Sequence, residues 1–148
     1  AGEDVKRFLL HLALGLTSLR QIFYARKKEK NMYTFYEYPK CSTCRKAKAE
    51  LNQLGLEVDS INIKENPPSA QFLKELLAGS DLELKKFFNT SGQSYRSLGL
   101  KDKLPTLSLD EAVELLASDG MLIKRPILIK DGKVLQVGYR TPYQDLNL

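Results

Sequence analysis

The chain has 148 residues, 43% hydrophobic and 28% charged, a size and composition that suit one domain with an ordinary core. Its formal charge of +5 is uneven: residues 1–31 hold seven of the 23 basic and three of the 18 acidic side chains, which leaves 16 against 15 for residues 32–148. A body so balanced carries no electrostatic footprint for a phosphate backbone, and direct nucleic-acid binding is not expected. The only histidine, His11, lies in the leader, so residues 32–148 exclude a Ser-His-Asp or Cys-His nucleophile system and a histidine-rich metal centre.

Residues 1–31 read as a leader distinct from the remainder of the chain. The apolar run Phe8 to Leu16 is too short for a membrane helix, which needs roughly 20 residues. Lys6 and Arg7 imitate the start of a signal peptide, but no small-x-small cleavage site comes after them. Leu9, Leu12, Leu16, Leu19 and Phe23 are spaced for an amphipathic helix. Met32 is the first methionine, and codons for KKEKNM can hold a bacterial ribosome-binding site. Met32 is therefore the expected start of translation, and the leader reads as non-native, disordered or loosely helical. A partner-binding or membrane-surface helix is the alternative.

Residues 32–38, MYTFYEY, are rich in β-branched and aromatic side chains and read as a first strand. A helix is expected over Cys41 to Leu54, with Ala47, Leu51 and Leu54 on its inner face, Lys46, Lys48 and Glu50 outside, and Gly55 as its cap. EVDSINI, residues 57–63, alternates as a second strand, and a βαβ unit this short makes the two strands parallel. After the turn ENPPS, Ser69 caps a helix whose apolar stripe is Phe72, Leu73, Leu76 and Leu77. DLELKKFF, residues 81–88, predicts another helix, and residues 89–105 predict turns. Ser108 and Glu111 form a capping box before LDEAVELLAS, a helix that Gly120 is expected to end. Asp131-Gly132 then joins two strands as a hairpin. The order predicts an α/β fold: a thioredoxin-like mixed four-stranded sheet, with an α-helical insertion between its βαβ and ββ halves.

Both cysteines, Cys41 and Cys44, stand where the first strand gives way to the first helix. Side chains three apart on a first helical turn share a face, so the sulfurs can approach bonding distance with little backbone movement. Unpaired N–H groups and the helix dipole favour a thiolate at Cys41, and Lys40, Arg45 and Lys46 add positive charge. Cys44, one turn inward, is placed to resolve a mixed disulfide on Cys41. The other readings are a metal site, a structural disulfide and two inert thiols. Zinc normally takes four ligands, of which residues 32–148 offer two; only a site shared between chains stays open. A disulfide here closes too small a loop to stabilise much, and the basic helix start argues against inert thiols. Redox chemistry is the favoured reading.

In thioredoxin-like folds a cis-proline precedes the third strand and faces the two cysteines. Pro126 occupies that position, with Arg125 before it. Arg125 reads either as an oxyanion or thiolate partner or as a surface arginine at a strand start. Lys40, Ser42, Thr43, Arg45, Asn89 and Pro126 are candidate substrate contacts. No metal and no bound cofactor are expected.

FYEYPKCSTCRKAKAELNQLG, ENPPS, ELKKFFNTSG, YRSLGLKDKL, LLASDGMLIKRPILI and LQVGY together resemble the arsenate reductase family in its wide sense. That family takes in glutaredoxin-coupled arsenate reductases and Spx-type regulators that bind RNA polymerase. The resemblance runs from Met32 to about residue 140 and leaves the leader without a counterpart. It implies a thioredoxin-like fold, Cys41 as nucleophile and Arg125 as one of the arginines that hold the oxyanion. Two further arginines do not carry over: Asn89 stands in place of one, and Val137 or Gly138 in place of the other. Cys44 makes an intramolecular disulfide switch available, as in Spx-type proteins. The implied function is a cytoplasmic thiol-disulfide oxidoreductase acting on a small oxyanion or a disulfide. Glutaredoxin with glutathione, or thioredoxin, would supply electrons, and no membrane is involved. The alternative is a redox-sensing regulator of the RNA polymerase α subunit.

Overall fold

The computed structural model describes residues 2–13, 15, 19–20 and 32–148. The chain forms two compact units, Ala1–Met32 and Tyr33–Leu148. The first contains helix α1 (Gly2–Ala13), with Glu3 and Asp4 in its first turn and Leu9 and Leu10 exposed. Leu16 and Phe23 of the expected apolar stripe lie outside the described residues.

The second unit opens with strand β1 (Tyr33–Glu37), helix α2 (Ser42–Gln53) and strand β2 (Val58–Asn62). Gly55, at φ 68°, turns the chain out of α2 at no steric cost to a side chain. β1 and β2 pair in parallel, from Tyr33 opposite Val58 to Glu37 opposite Asn62. The hairpin β3 (Ile127–Lys130) and β4 (Lys133–Val137) closes the sheet in the order β2-β1-β3-β4, with β3 antiparallel to both neighbours. Asp131 and Gly132 both take positive φ, which is what a tight two-residue hairpin turn requires.

Alternation along the strands divides the core between the two sheet faces. Tyr33 and Phe35 of β1 and Leu128 of β3 pack with Ala47, Leu51 and Tyr143 on the α2 side. Tyr36, Ile127 and Ile129 point the other way, into a larger cluster built from the insertion. The insertion contains α3 (Ala70–Ala78), α4 (Gln93–Ser97), α5 (Leu100–Lys103) and α6 (Leu109–Ser118). Ser69 caps α3 by accepting from the Phe72 N–H, and Ser108 and Glu111 form the full capping box of α6.

Three local expectations are corrected. Residues 81–88 form a short 3₁₀ turn over Leu84–Phe87 rather than a helix, because Phe88 is extended and bridges Ile123. Residues 89–105 are not all turns: burial of Tyr95, Leu100 and Leu104 folds them into α4, α5 and a 3₁₀ turn, with Gly99 left-handed between the helices. Gly120 does not end α6, which stops at Ser118. It begins a 3₁₀ turn over Gly120–Leu122, and there a Cβ would lie 1.8 Å from the Ile63 carbonyl oxygen. Close backbone approach is what selects glycine at that place.

Candidate active site

β1 delivers the first cysteine. After Glu37 the chain turns through Tyr38-Pro39-Lys40, and the Cys41 N–H closes that turn on the Tyr38 carbonyl at 2.9 Å. Cys41 is the N-cap of α2, in extended conformation (φ −86°, ψ 121°), and its own carbonyl accepts from the Arg45 N–H. The first N–H groups of α2 therefore face the Cys41 sulfur instead of a capping oxygen. Cys44 begins the buried face that continues through Ala47 and Leu51. Both thiols are free, Cys41 half-buried and Cys44 wholly buried.

One turn of helix separates two opposite acidities. Partial burial works to raise the Cys41 pKa, but other effects outweigh it and hold the thiol below its ordinary value. These are hydrogen bonds from the Cys44 backbone and thiol, the Arg125 charge and a Thr43 backbone hydrogen bond. Cys44 is pushed up to about 12, first by burial and then by the neighbouring Cys41 sulfur, against the pull of a Tyr38 backbone hydrogen bond and of Arg125.

β3 delivers the cation. Tyr36 pairs with Ile127, so the residues just before β3 lie beside the end of β1. The Arg125–Pro126 bond is cis. The segment is held from both sides: the Lys124 N–H donates to the Phe87 carbonyl, and the Pro126 carbonyl accepts from Gly138, each at 2.8 Å. The Arg125 guanidinium carbon sits 5.4 Å from the centre of the Tyr38 ring. Its Nε and Nη1 are buried and meet no acceptor. Guanidinium donors left unpaired in a protein interior are costly, and an anion delivered there relieves the cost.

The fold thus brings together Cys41, Cys44, the Thr43 backbone and Arg125, and Pro126 follows Arg125 through the cis bond. Lys40, Ser42 and Arg45 are exposed around the helix start. Asn89 lies in the loop after Phe88, its N–H on the Leu122 carbonyl at 2.7 Å and its side chain against Gly92. Gly138 is left-handed at φ 78°, a conformation that arginine adopts poorly. Tyr38 has a part that the sequence did not signal, because a tyrosine at a strand end looks like any other β-forming aromatic. Among the described residues no group of three or more potential ligands could hold a metal ion, and no helix is long and apolar enough to cross a membrane.

Comparison with known proteins places this architecture. A model of the ArsC family matches residues 36–142. The chain belongs to that family. The Bacillus subtilis protein YusI is 60% identical over 107 residues, which cover 72% of this chain and 90% of YusI. The global transcriptional regulator Spx of Lactiplantibacillus plantarum is 32% identical over 108 residues, covering 73% of this chain and 80% of Spx. The crystal structure of a possible arsenate reductase from Streptococcus mutans superposes with a TM-score of 0.76 at 69% identity, covering 78% of this chain and 98% of that one. The proteins similar to this chain thus include one called a possible arsenate reductase and one called a transcriptional regulator.

Proposed function

We propose that the chain is a thiol-dependent oxidoreductase of the ArsC family, with Cys41 as nucleophile and Cys44 as resolving thiol. One observation carries the reading: a half-exposed thiol held acidic stands one turn from a buried thiol held basic, beside a guanidinium with unpaired donors. With arsenate, the Cys41 thiolate would displace a hydroxyl oxygen as water and bond to arsenic. Cys44 would then attack the Cys41 sulfur, break the sulfur–arsenic bond and leave its electron pair on arsenic as arsenite. With a disulfide substrate the first attack releases one thiol and leaves a mixed disulfide on Cys41, and the second releases the other thiol. Either route ends in a Cys41–Cys44 disulfide, which glutaredoxin with glutathione, or thioredoxin, would reduce in the cytoplasm.

Arg125 would hold the oxyanion or the thiolate in either route. Lys40, Ser42, Thr43, Arg45, Asn89 and Pro126 would form the substrate-contacting rim. Steady-state assays with arsenate and with small disulfides, each with glutaredoxin or thioredoxin in turn, test the proposal. Turnover that survives Cys41→Ser would overturn it.

The Spx relatives and the absent second and third arginines favour one other reading, a redox-sensing regulator that binds the RNA polymerase α subunit. Capture of that subunit by one redox form and not the other, without turnover, would decide for it.

A further inference from the structure

Arg125 is the cation of the proposed site, and no carboxylate holds it. Among the described residues no ion pair joins it to an acid: Lys48 pairs with Glu37 and Lys74 with Asp110. Its Nε and Nη1 are buried without an acceptor. The group that meets the guanidinium is the ring of Tyr38, with 5.4 Å between the guanidinium carbon and the ring centre. A carboxylate would take up the N–H groups of a guanidinium and cancel its charge. An aromatic face attracts the same cation and leaves both its charge and its donors in place.

The sheet order explains the meeting. β1 lies between β2 and β3, so Tyr38, just after β1, is flanked by the end of β2 and the approach to β3. Lys64, after β2, brings its Nζ to 6.0 Å from the centre of the same ring, but it is exposed and water screens its charge. Tyr38 is half-buried and packs against the apolar cluster of the insertion. Its carbonyl accepts from the Cys41 N–H at 2.9 Å. One residue therefore touches both parts of the site: its carbonyl closes the turn that presents Cys41, and its ring meets Arg125.

We propose that Tyr38 is the positioning residue of the site: its ring mounts Arg125 beside Cys41 with the guanidinium charged and its donors free for an anion. The inference rests on the reading of Arg125 as the holder of an oxyanion or a thiolate. Tyr38 itself makes and breaks no bond in the reaction and acts only through Arg125.

Alkylation of Cys41 by iodoacetate, an anion, and by neutral iodoacetamide gives a rate ratio that reports a cation beside the sulfur. The same thiolate attacks both reagents, so changes in its pKa or exposure cancel. The full chain carrying Cys44→Ser confines the reaction to Cys41. Arg125→Ala is expected to lower the ratio of iodoacetate to iodoacetamide rates about tenfold. Tyr38→Leu, which keeps an apolar side chain against the cluster, is expected to lower it about fivefold, and Tyr38→Phe, which keeps the ring, to leave it within about twofold. Added to Arg125→Ala, Tyr38→Leu should lower the ratio no further, because the two act as one unit. Tyr38→pentafluorophenylalanine keeps the shape of the ring and reverses the charge of its face, so the same fall is expected whatever Tyr38→Leu does to folding. A ratio that the fluorinated ring leaves unchanged, or that Tyr38→Phe lowers as far as Tyr38→Leu, overturns the role of Tyr38 while Arg125 keeps its own. A ratio that Arg125→Ala leaves unchanged defeats Arg125 as the anion holder, and the role of Tyr38 with it.

Discussion

A thiolate at Cys41 gathers hydrogen bonds from the Cys44 backbone and thiol and from the Thr43 backbone, and it sits in the field of Arg125. The lysines and the arginine that surround it in sequence are exposed at the helix start, where water screens their charge. Arg125, far away in sequence, is the partly buried cation that acts on both sulfurs. Arg125→Ala should therefore raise the Cys41 pKa and slow alkylation of Cys41 at neutral pH roughly tenfold. Rates of iodoacetamide alkylation against pH, in a Cys44→Ser background that keeps a hydroxyl donor, give the comparison; an unshifted profile would remove Arg125 from thiolate stabilisation. Asn89 supports a second prediction. With Asn89 where a guanidinium is expected, bidentate oxyanion contacts are lost, so arsenate turnover with glutaredoxin should be poor, and Asn89→Arg should raise it about tenfold. Efficient wild-type turnover would show that one arginine suffices.

At the scale of the elements, βαβ and ββ were legible because each rests on local signals. The run around Val58 and Ile61 marks Val58–Asn62, although its burial does not alternate, the Asp131-Gly132 pair fixes the hairpin, and Ser69 and Ser108 cap the helices they precede. The features that were not legible depend on distant partners. The bridge from Phe88 to Ile123 converts an apparent helix into a 3₁₀ turn, and nothing local announces it. Glu50 and Lys48 looked like solvent-facing charges, yet Lys48 lies 2.9 Å from the buried Glu37 carboxylate and Glu50 holds the tail. The two cysteines and Arg125 were legible from motif and fold, whereas Tyr38 and Tyr143 were not, because a single aromatic has no periodicity to read. Gly120 gives the sharpest check. Gly55 has open space around its missing side chain, so Gly55→Ala costs only its left-handed φ, about 1 kcal/mol. Gly120→Ala drives a methyl into the Ile63 carbonyl and should cost roughly 3 kcal/mol, as overpacking does at its upper range. Urea midpoints of the two variants should fall in that order; equal midpoints would mean that the backbone at Ile63 yields freely.

Across the second unit as a whole, the two sheet faces carry different loads. The insertion buries one face under a large apolar cluster, against which Tyr38 packs. The other face has a smaller core, made of α2 and Tyr143 from the tail, so the helix that presents both thiols is steadied by the last residues of the chain. Glu50 is the joint, and its charge matters to it. Burial works against the carboxylate, but hydrogen bonds from the Tyr139 hydroxyl and the Tyr143 and Gln144 N–H groups outweigh this and hold its pKa below the ordinary value. The same joint pushes the Tyr139 hydroxyl up to about 12, first through burial and then through Glu50. In the unfolded chain Glu50 returns to about 4.3. The folded state is therefore favoured by this group above that pH, and the advantage disappears as pH falls through the lower folded value. Glu50→Gln keeps an acceptor oxygen and removes the charge, so it should be less stable than wild type near pH ~7 and approach it near pH ~3. Urea unfolding across that interval measures the gap. A gap that stays constant with pH would mean that the tail is held by shape and neutral hydrogen bonds alone.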